Sequence, residues 1–174
     1  MLYAGSCPSP VGTLTLVCDG EGRDLVGVWL EGQKYFMDAL PERPCRKEEA
    51  PILLRTKKWL ERYFAGERPE IAELSLAPMG GEFRQAVWDI LKTIPYGEVT
   101  TYGEIGKRLS AGRDLGRMSA RAVGGAVGHN PISIIIPCHR VVGSDGAVTG
   151  YAGGVEKKLW LLKHEGVDAA KLHA

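Results

Sequence analysis

A thiol, an imidazole and a guanidinium stand side by side at Cys138-His139-Arg140, directly behind Pro137 and the apolar run Ile132-Ser133-Ile134-Ile135-Ile136. A cysteine attacks carbon as its thiolate, and a neighbouring base or positive charge favours that form. Cys138 is therefore a candidate nucleophile and His139 its candidate base. The alternative is a small buried hydrophobe, the commoner fate of a free cysteine. Glu165 bears on the choice. It closes a helix, where the dipole disfavours a carboxylate. Either it is solvated there, or it holds His139 through a hydrogen bond.

Such groups need a rigid support. Four isoleucines within five residues predict a buried extended segment, because β-branched side chains suit a pleated surface. Pro137 has no N–H to donate, so regular pairing stops there. Beyond the cysteine, residues 143–154 hold Gly143, Gly146, Gly150, Gly153 and Gly154. A glycine-rich loop lets main-chain donors and acceptors approach a flat ligand. The loop lacks the Gly-x-x-x-x-Gly-Lys-Ser/Thr pattern of a triphosphate site.

The 174-residue chain allows one large domain or two small ones. No apolar run approaches the roughly 20 residues that span a bilayer, and no basic stretch followed by a long apolar one opens the chain. A cytoplasmic protein without a membrane partner is expected. Cys7, Cys18, Cys45 and Cys138 show no paired spacing, which fits reduced thiols. No histidine precedes His129, so no zinc site is expected in the first part of the chain. Residues 1–80 carry 10 basic and 12 acidic side chains, whereas residues 81–174 carry 12 and 9. Five basic residues fall within 107–121, namely Lys107, Arg108, Arg113, Arg117 and Arg121, against Asp114 alone. They suit phosphate contacts or, equally, a solvated face.

Alternating apolar residues predict strands over 2–7, 11–18 and 25–30, joined by turns too short for parallel crossovers. A short helix is expected over 35–40 and a loop over 41–51. The stripe Ile52, Leu53, Trp59, Leu60, Tyr63 and Phe64 predicts a helix that stops at Gly66. A boundary near Pro78 then separates a supporting α/β domain, 1–77, from a domain over 78–174. In the second domain, Phe83, Val87, Ile90, Leu91 and Ile94 predict a helix over 82–94. Thr101-x-x-Glu104 is a capping box opening a helix to about Leu109, and Ser119 caps a helix over 120–127. Helix, loop, helix with Arg121 early in the second is a helix-turn-helix pattern. Ala122, Gly124 and Gly125 leave that second helix nearly bare. A bare helix approaches DNA closely and reads little sequence; alternatively, its glycines pack against another helix. The last helix covers 155–165, with Gly166 as its C-cap glycine.

Pro137-Cys138-His139-Arg140-Val141, together with Arg121-Ala122-Val123-Gly124-Gly125-Ala126, Asn130-Pro131 and Gly150-Tyr151-Ala152-Gly153-Gly154, closely resembles the O6-alkylguanine-DNA alkyltransferases, particularly their bacterial Ogt-type members. The likeness is strong over 82–174 and looser before. It implies an α+β fold: an RNase H-like N-terminal domain with a small antiparallel sheet and a helix, then a mainly helical winged-helix domain. It implies a monomer that acts once on double-stranded DNA carrying O6-alkylguanine, with no cofactor and no metal. The lesion is flipped out of the duplex, and an ionised Cys138, facing a cavity for the everted base, takes the alkyl group. His139 removes the thiol proton through a water and Glu165 orients it. Asn130 is the hinge residue, Tyr102 crowds the phosphate and bonds the base, and Lys158 lies near the leaving base. Arg121 fills the gap in the stack, beside Ser119, Ala122, Gly124 and Gly125 on the DNA. Val127, Val148, Tyr151, Ala152 and Gly153 form the base pocket. Ala152 stands where some members have Ser, which removes a hydroxyl contact, and the loop 110–118 is longer than in several relatives. Two other classes compete. A non-catalytic alkylguanine binder would lack the cysteine, and a winged-helix regulator would need a richer base-reading surface.

Overall fold

Alternating apolar residues build the first part of the chain into a meander. Strands β1 (Leu2–Cys7), β2 (Leu14–Asp19) and β3 (Leu25–Leu30) pair antiparallel in sequence order. The computed structural model describes residues 1–111 and 120–173. They fall into two compact units, Met1–Met79 with Pro131–Ile135, and Gly80–Asn130 with Ile136–Ala174. The mixed α/β class expected from the sequence is the one observed: a small sheet with a helix, then a mainly helical unit.

In the first unit, the short strand β4 (Cys45–Arg46) adds to β1 in parallel within the stretch expected to be a loop, giving the order β3-β2-β1-β4. Helix α1 (Pro51–Phe64) starts with proline at its first turn, where no N–H is needed, and buries Ile52, Leu53, Thr56, Trp59, Leu60 and Tyr63. The expected helix over 35–40 is absent. Tyr35 and Met37 both have positive φ, at 59° and 57°, and residues 35–40 make successive i→i+3 turns instead. That path lets Met37 and Leu40 pack on the core of Leu2, Val17, Val26 and Trp29.

β3 is an edge of the sheet, and two segments cover its open main chain. The amide of Leu25 donates to Ser75 and that of Ala77 donates to Leu25, both at 2.8 Å. The amide of Val28 donates to the Pro131 carbonyl at 2.8 Å, and that of Ser133 returns to Val28 at 2.9 Å. Covering an edge removes a template for unwanted pairing. The isoleucine run is thus extended only at Ile132. Ile134 has φ +72°, and the amide of Ile135 bonds the Ser133 carbonyl at 2.9 Å, a γ-turn. Pro137, at φ −81° and ψ 65°, then carries an inverse γ-turn in which the Cys138 amide bonds the Ile136 carbonyl at 2.8 Å. All four isoleucines are buried. A positive φ at a β-branched residue is strained, and such strain persists where packing over-determines the backbone.

The second unit packs α2 (Glu82–Leu91), α3 (Tyr102–Ser110) and α4 (Ala120–Gly128) together. The Thr101 hydroxyl caps α3, accepting from the Glu104 amide at 3.1 Å. Strands β5 (Thr100–Thr101) and β6 (Val141–Val142) pair in parallel, which sets the start of α3 beside the chain leaving Cys138. Helix α5 (Val155–His164) follows the glycine-rich loop. Ser119, the expected cap of α4, lies outside the described residues, as do Arg113, Asp114 and Arg117 of the basic cluster.

The buried end of α4 has a specific solution. Its last turn tightens, with the Asn130 amide donating to Val127 rather than one residue earlier. The Ala126 carbonyl so released accepts the indole N–H of buried Trp88 at 2.9 Å. A buried acceptor without its donor costs about 1–3 kcal/mol. Trp88→Phe is therefore expected to lower the urea-measured unfolding free energy by about that amount. A change below about 0.5 kcal/mol, the usual range of neutral substitutions, would contradict this account of the helix end.

Candidate active site

Cys138, His139 and Arg140 form a single 3-10 turn seeded by Pro137, whose carbonyl accepts from the Arg140 amide at 3.0 Å. The turn points neighbouring side chains in different directions without the length of a helix. Cys138 is buried but keeps 6% of its surface, and His139 keeps none.

Glu165 is where the site converges. It ends α5 in a Schellman motif: the Gly166 amide bonds Lys163 and the Val167 amide bonds Leu162, each at 3.0 Å. Gly166 adopts φ +82°, the left-handed position this cap requires. The cap fixes where the Glu165 carboxylate points, and that side chain is fully buried. Its Oε1 accepts from Arg140 Nε at 2.7 Å and from the Gly97 amide at 3.2 Å. Its Oε2 meets His139 Nε2 at 2.6 Å and Arg140 Nη2 at 3.0 Å. Arg140 Nη1 is held by the Ile94 carbonyl at 2.6 Å, and its guanidinium lies 5.8 Å from the centre of the Tyr96 ring. Of the two uses of Glu165 left open by the sequence, the geometry selects the bond to His139.

The charges follow from these contacts. Burial alone would push the Glu165 carboxyl up, but its bonds to His139 and Arg140 and the guanidinium charge outweigh this and hold it well below the usual carboxylate range. Burial pushes His139 below its ordinary value; Glu165 opposes the shift, while the cations of Arg140 and Lys158 add to it. At neutral pH the pair is a carboxylate and a neutral imidazole. The carboxylate can only accept, so His139 Nε2 carries the hydrogen. Nδ1 then bears the lone pair, and it is buried without a protein partner among the described residues. The ring is a base with its accepting atom unoccupied by protein.

Cys138 favours its protonated form at rest. Burial raises its thiol above the ordinary value; the Asn130 amide, the Lys158 cation and the amides of Cys138 and His139 pull it back only in part. Those same groups are the ones that would hold a thiolate once formed. Asn130 also donates to the Ile136 carbonyl at 2.8 Å, tying the end of α4 to the chain entering the cysteine turn.

Lys158 is 1% exposed and donates to the Thr149 carbonyl at 2.8 Å, with its ammonium 5.9 Å from the centre of the Tyr102 ring. Burial lowers it to about 8, against the attraction of Cys138. The Tyr102 hydroxyl donates to the same carbonyl at 3.4 Å. Burial and then the charge on Cys138 raise its phenol. Of the loop positions, Val148 and Tyr151 are buried, and Ala152 and Gly153 half-buried. The Val148 amide donates to the His173 carbonyl at 2.6 Å.

Arg121, Ala122 and Gly125 form the exposed face of α4, while Val127 lies on its buried face. A side chain at Gly124 would come within 4.0 Å of the Tyr102 ring, whereas one at Gly125 would meet nothing among the described residues. Among the described residues, no helix packs closely enough to require a glycine at 125. Three participants were not given roles from the sequence: Arg140, whose only signal was its place in the motif, and the main-chain groups of Gly97 and Thr149, which carry no residue-type signal.

Two family models cover the chain: the ribonuclease-like domain of 6-O-methylguanine DNA methyltransferase over residues 2–78, and the DNA binding domain of 6-O-methylguanine DNA methyltransferase over residues 82–167. A methylated-DNA–protein-cysteine methyltransferase of Haemophilus influenzae is 42% identical over 164 residues, spanning 94% of this chain and 86% of that protein. One from Methanosarcina acetivorans is 42% identical over 165 residues, spanning 95% and 99%. Among solved structures, Mycobacterium tuberculosis OGT in complex with DNA matches with a TM-score of 0.79 and 38% identity, covering 99% of this chain and 95% of that one.

A histidine buried in its neutral form makes stability depend on pH. The unfolded chain takes up a proton near pH 6.5 that the folded protein resists, so stability is full above that value and falls as pH drops below it. Glu165, with a lowered carboxyl, keeps its contribution until the pH falls below about 4.5, so the two windows are separate. From pH 7.5 to 5.5, His139 should contribute a loss of up to about 1.4 kcal/mol in unfolding free energy. Urea titrations of the wild type and His139→Gln should differ in slope by that amount; parallel pH profiles would contradict a neutral buried imidazole.

Proposed function

The chain belongs to the 6-O-methylguanine DNA methyltransferase family, and from that membership we propose that it repairs O6-alkylguanine in double-stranded DNA by moving the alkyl group to Cys138. The activity is that of a methylated-DNA–protein-cysteine methyltransferase, a direct reversal of damage in DNA. The observation that carries the residue assignment is the hydrogen-bonded series Arg140–Glu165–His139 beside a thiol, with the histidine's accepting nitrogen unoccupied.

Each residue then has a task. The sulfur of Cys138 attacks the alkyl carbon. The carbon–O6 bond breaks as the carbon–sulfur bond forms, and its electron pair passes to the guanine. The thiol proton moves to His139 Nδ1 through a water. Glu165 balances the imidazolium formed, as expected of a nucleophile, base and orienting group. Asn130, Lys158 and the amides at 138 and 139 stabilise the transient thiolate. Tyr102 and Lys158, converging on the Thr149 carbonyl, are hydrogen-bond donors suited to the departing base. Val127, Val148, Tyr151, Ala152 and Gly153 form the pocket for the everted guanine. The thioether is stable, so each molecule acts once.

DNA is met by α4. Gly125 sits in mid-helix at a cost of about 1 kcal/mol relative to alanine, with nothing among the described residues that needs its small size. A duplex pressed onto the helix would need it. Arg121, exposed at the start of α4, fills the space the guanine leaves, with Ser119, Ala122, Gly124 and Gly125 around it. Residues 1–77 support the reacting domain, 78–174. The protein works as a monomer. Its four free thiols accord with a reducing compartment, the cytoplasm.

Intact-mass measurement after incubation with a duplex containing O6-methylguanine should reveal one added methyl group per molecule, lost in Cys138→Ser. Unchanged mass with tight binding to the lesion would instead identify a non-catalytic binder. Gly125→Leu should stabilise the free protein by about 0.5–1 kcal/mol. It should also slow reaction with the duplex more than reaction with free O6-benzylguanine. Equal slowing on both would remove α4 from the DNA-facing role.

A further inference from the structure

The C-terminal residues join the base-pocket loop through main-chain bonds. The His173 amide donates to the Gly146 carbonyl at 3.1 Å, and the Val148 amide donates back to His173 at 2.6 Å, a parallel bridge across Ala147. Gly146 has φ +87°, and a Cβ there would lie 2.1 Å from the Lys171 carbonyl oxygen, so loop and tail meet backbone to backbone. Leu172 packs with Val142, Val148 and Leu162. The tail holds its own shape through the turn at Ala169–Lys171, with Asp168 accepting from the Lys171 amide at 3.0 Å and from the Ala170 amide at 2.9 Å. An ion pair, His173 Nε2 to Asp145 Oδ2 at 3.2 Å, is more than half exposed on both sides and adds little.

What this strap fixes is the residue pair next in line. Val148 gives its amide to the tail, and Thr149 directly after it receives both Lys158 and the Tyr102 hydroxyl. A shift of the loop therefore moves the anchor of two groups beside Cys138. We propose that residues 168–173 are a specificity-determining strap, which pins the loop 143–150 and so limits the size of the alkyl group that the pocket accepts. The proposal rests on the alkyl-transfer reading given above. A pinned loop holds the small substrate in its reacting geometry, and misplacement by about 1 Å can cost up to a hundredfold in rate. A released loop loses part of that advantage for methyl and gains room for a bulkier group.

The test compares the full chain with a chain ending at Val167 and with Leu172→Asp, on duplexes carrying either O6-methylguanine or O6-benzylguanine. The benzyl-to-methyl ratio of rate constants does not depend on the fraction of active molecules, so partial unfolding of a variant leaves that ratio interpretable. Both variants should react about tenfold more slowly with the methyl lesion and lose less on the benzyl lesion, so that the benzyl-to-methyl ratio rises severalfold. His173→Ala, which keeps the main-chain bonds, should leave the ratio unchanged. An unchanged ratio in both Leu172→Asp and the shortened chain, or a change reproduced by His173→Ala alone, would overturn the strap. Absence of transfer by the full chain would instead overturn the alkyl-transfer reading itself.

Discussion

A single buried carboxylate holds the reacting groups in order. Glu165 accepts from the Arg140 guanidinium, the His139 imidazole and the Gly97 amide, which ties the end of α5 to the Cys138–Arg140 turn and to the segment at Gly97. Its position at the end of α5 runs against the helix dipole, a penalty of tenths of a kcal/mol that the charge-assisted bonds exceed. Breaking a buried ion pair by removing one partner costs about 3–5 kcal/mol, so this centre is structural and chemical together. The bonds from His139 and Arg140 together keep Glu165 ionised, and burial, helped by the Arg140 charge, favours a neutral His139.

The resting nucleophile is consequently a thiol, not a thiolate. In the interior, an unpaired negative charge on sulfur is expensive, and a protonated Cys138 avoids that cost until an electrophile arrives. The groups that favour the anion are in place but insufficient alone. In the proposed reaction, reactivity is thereby tied to substrate: the proton moves when the alkyl carbon can take the electron pair. The same burial keeps the thiol from the oxidants and metals that capture exposed, ionised cysteines.

Much of this was legible in the residues, and the rest was hidden for identifiable reasons. The period-2 strands β1 to β3 and the apolar stripe of α1 express burial directly, and α1 differs from expectation mainly in burying Thr56. The isoleucine run announced burial correctly and its path wrongly. Four β-branched residues are as apolar in a pair of γ-turns as in a strand, and only the edge of β3 decides between them. Residues 35–40 have helical-looking apolar spacing, yet positive φ at Tyr35 and Met37 breaks the helix to seat Met37 and Leu40. Cys138, His139 and Glu165 were found because their side-chain chemistry is written in their names. The Gly97 amide, the Thr149 carbonyl and the strap at His173 act through the main chain, where residue type says little.

On this geometry His139 is a neutral imidazole whose hydrogen faces Glu165 and whose bare nitrogen is Nδ1. Long-range nitrogen–proton correlation spectra of the 15N-labelled protein at pH 7 test it directly, since protonated and bare imidazole nitrogens resonate far apart. A protonated Nε2 and a bare Nδ1 are expected in the unreacted protein. A protonated Nδ1, whether in the opposite tautomer or in an imidazolium, would contradict it.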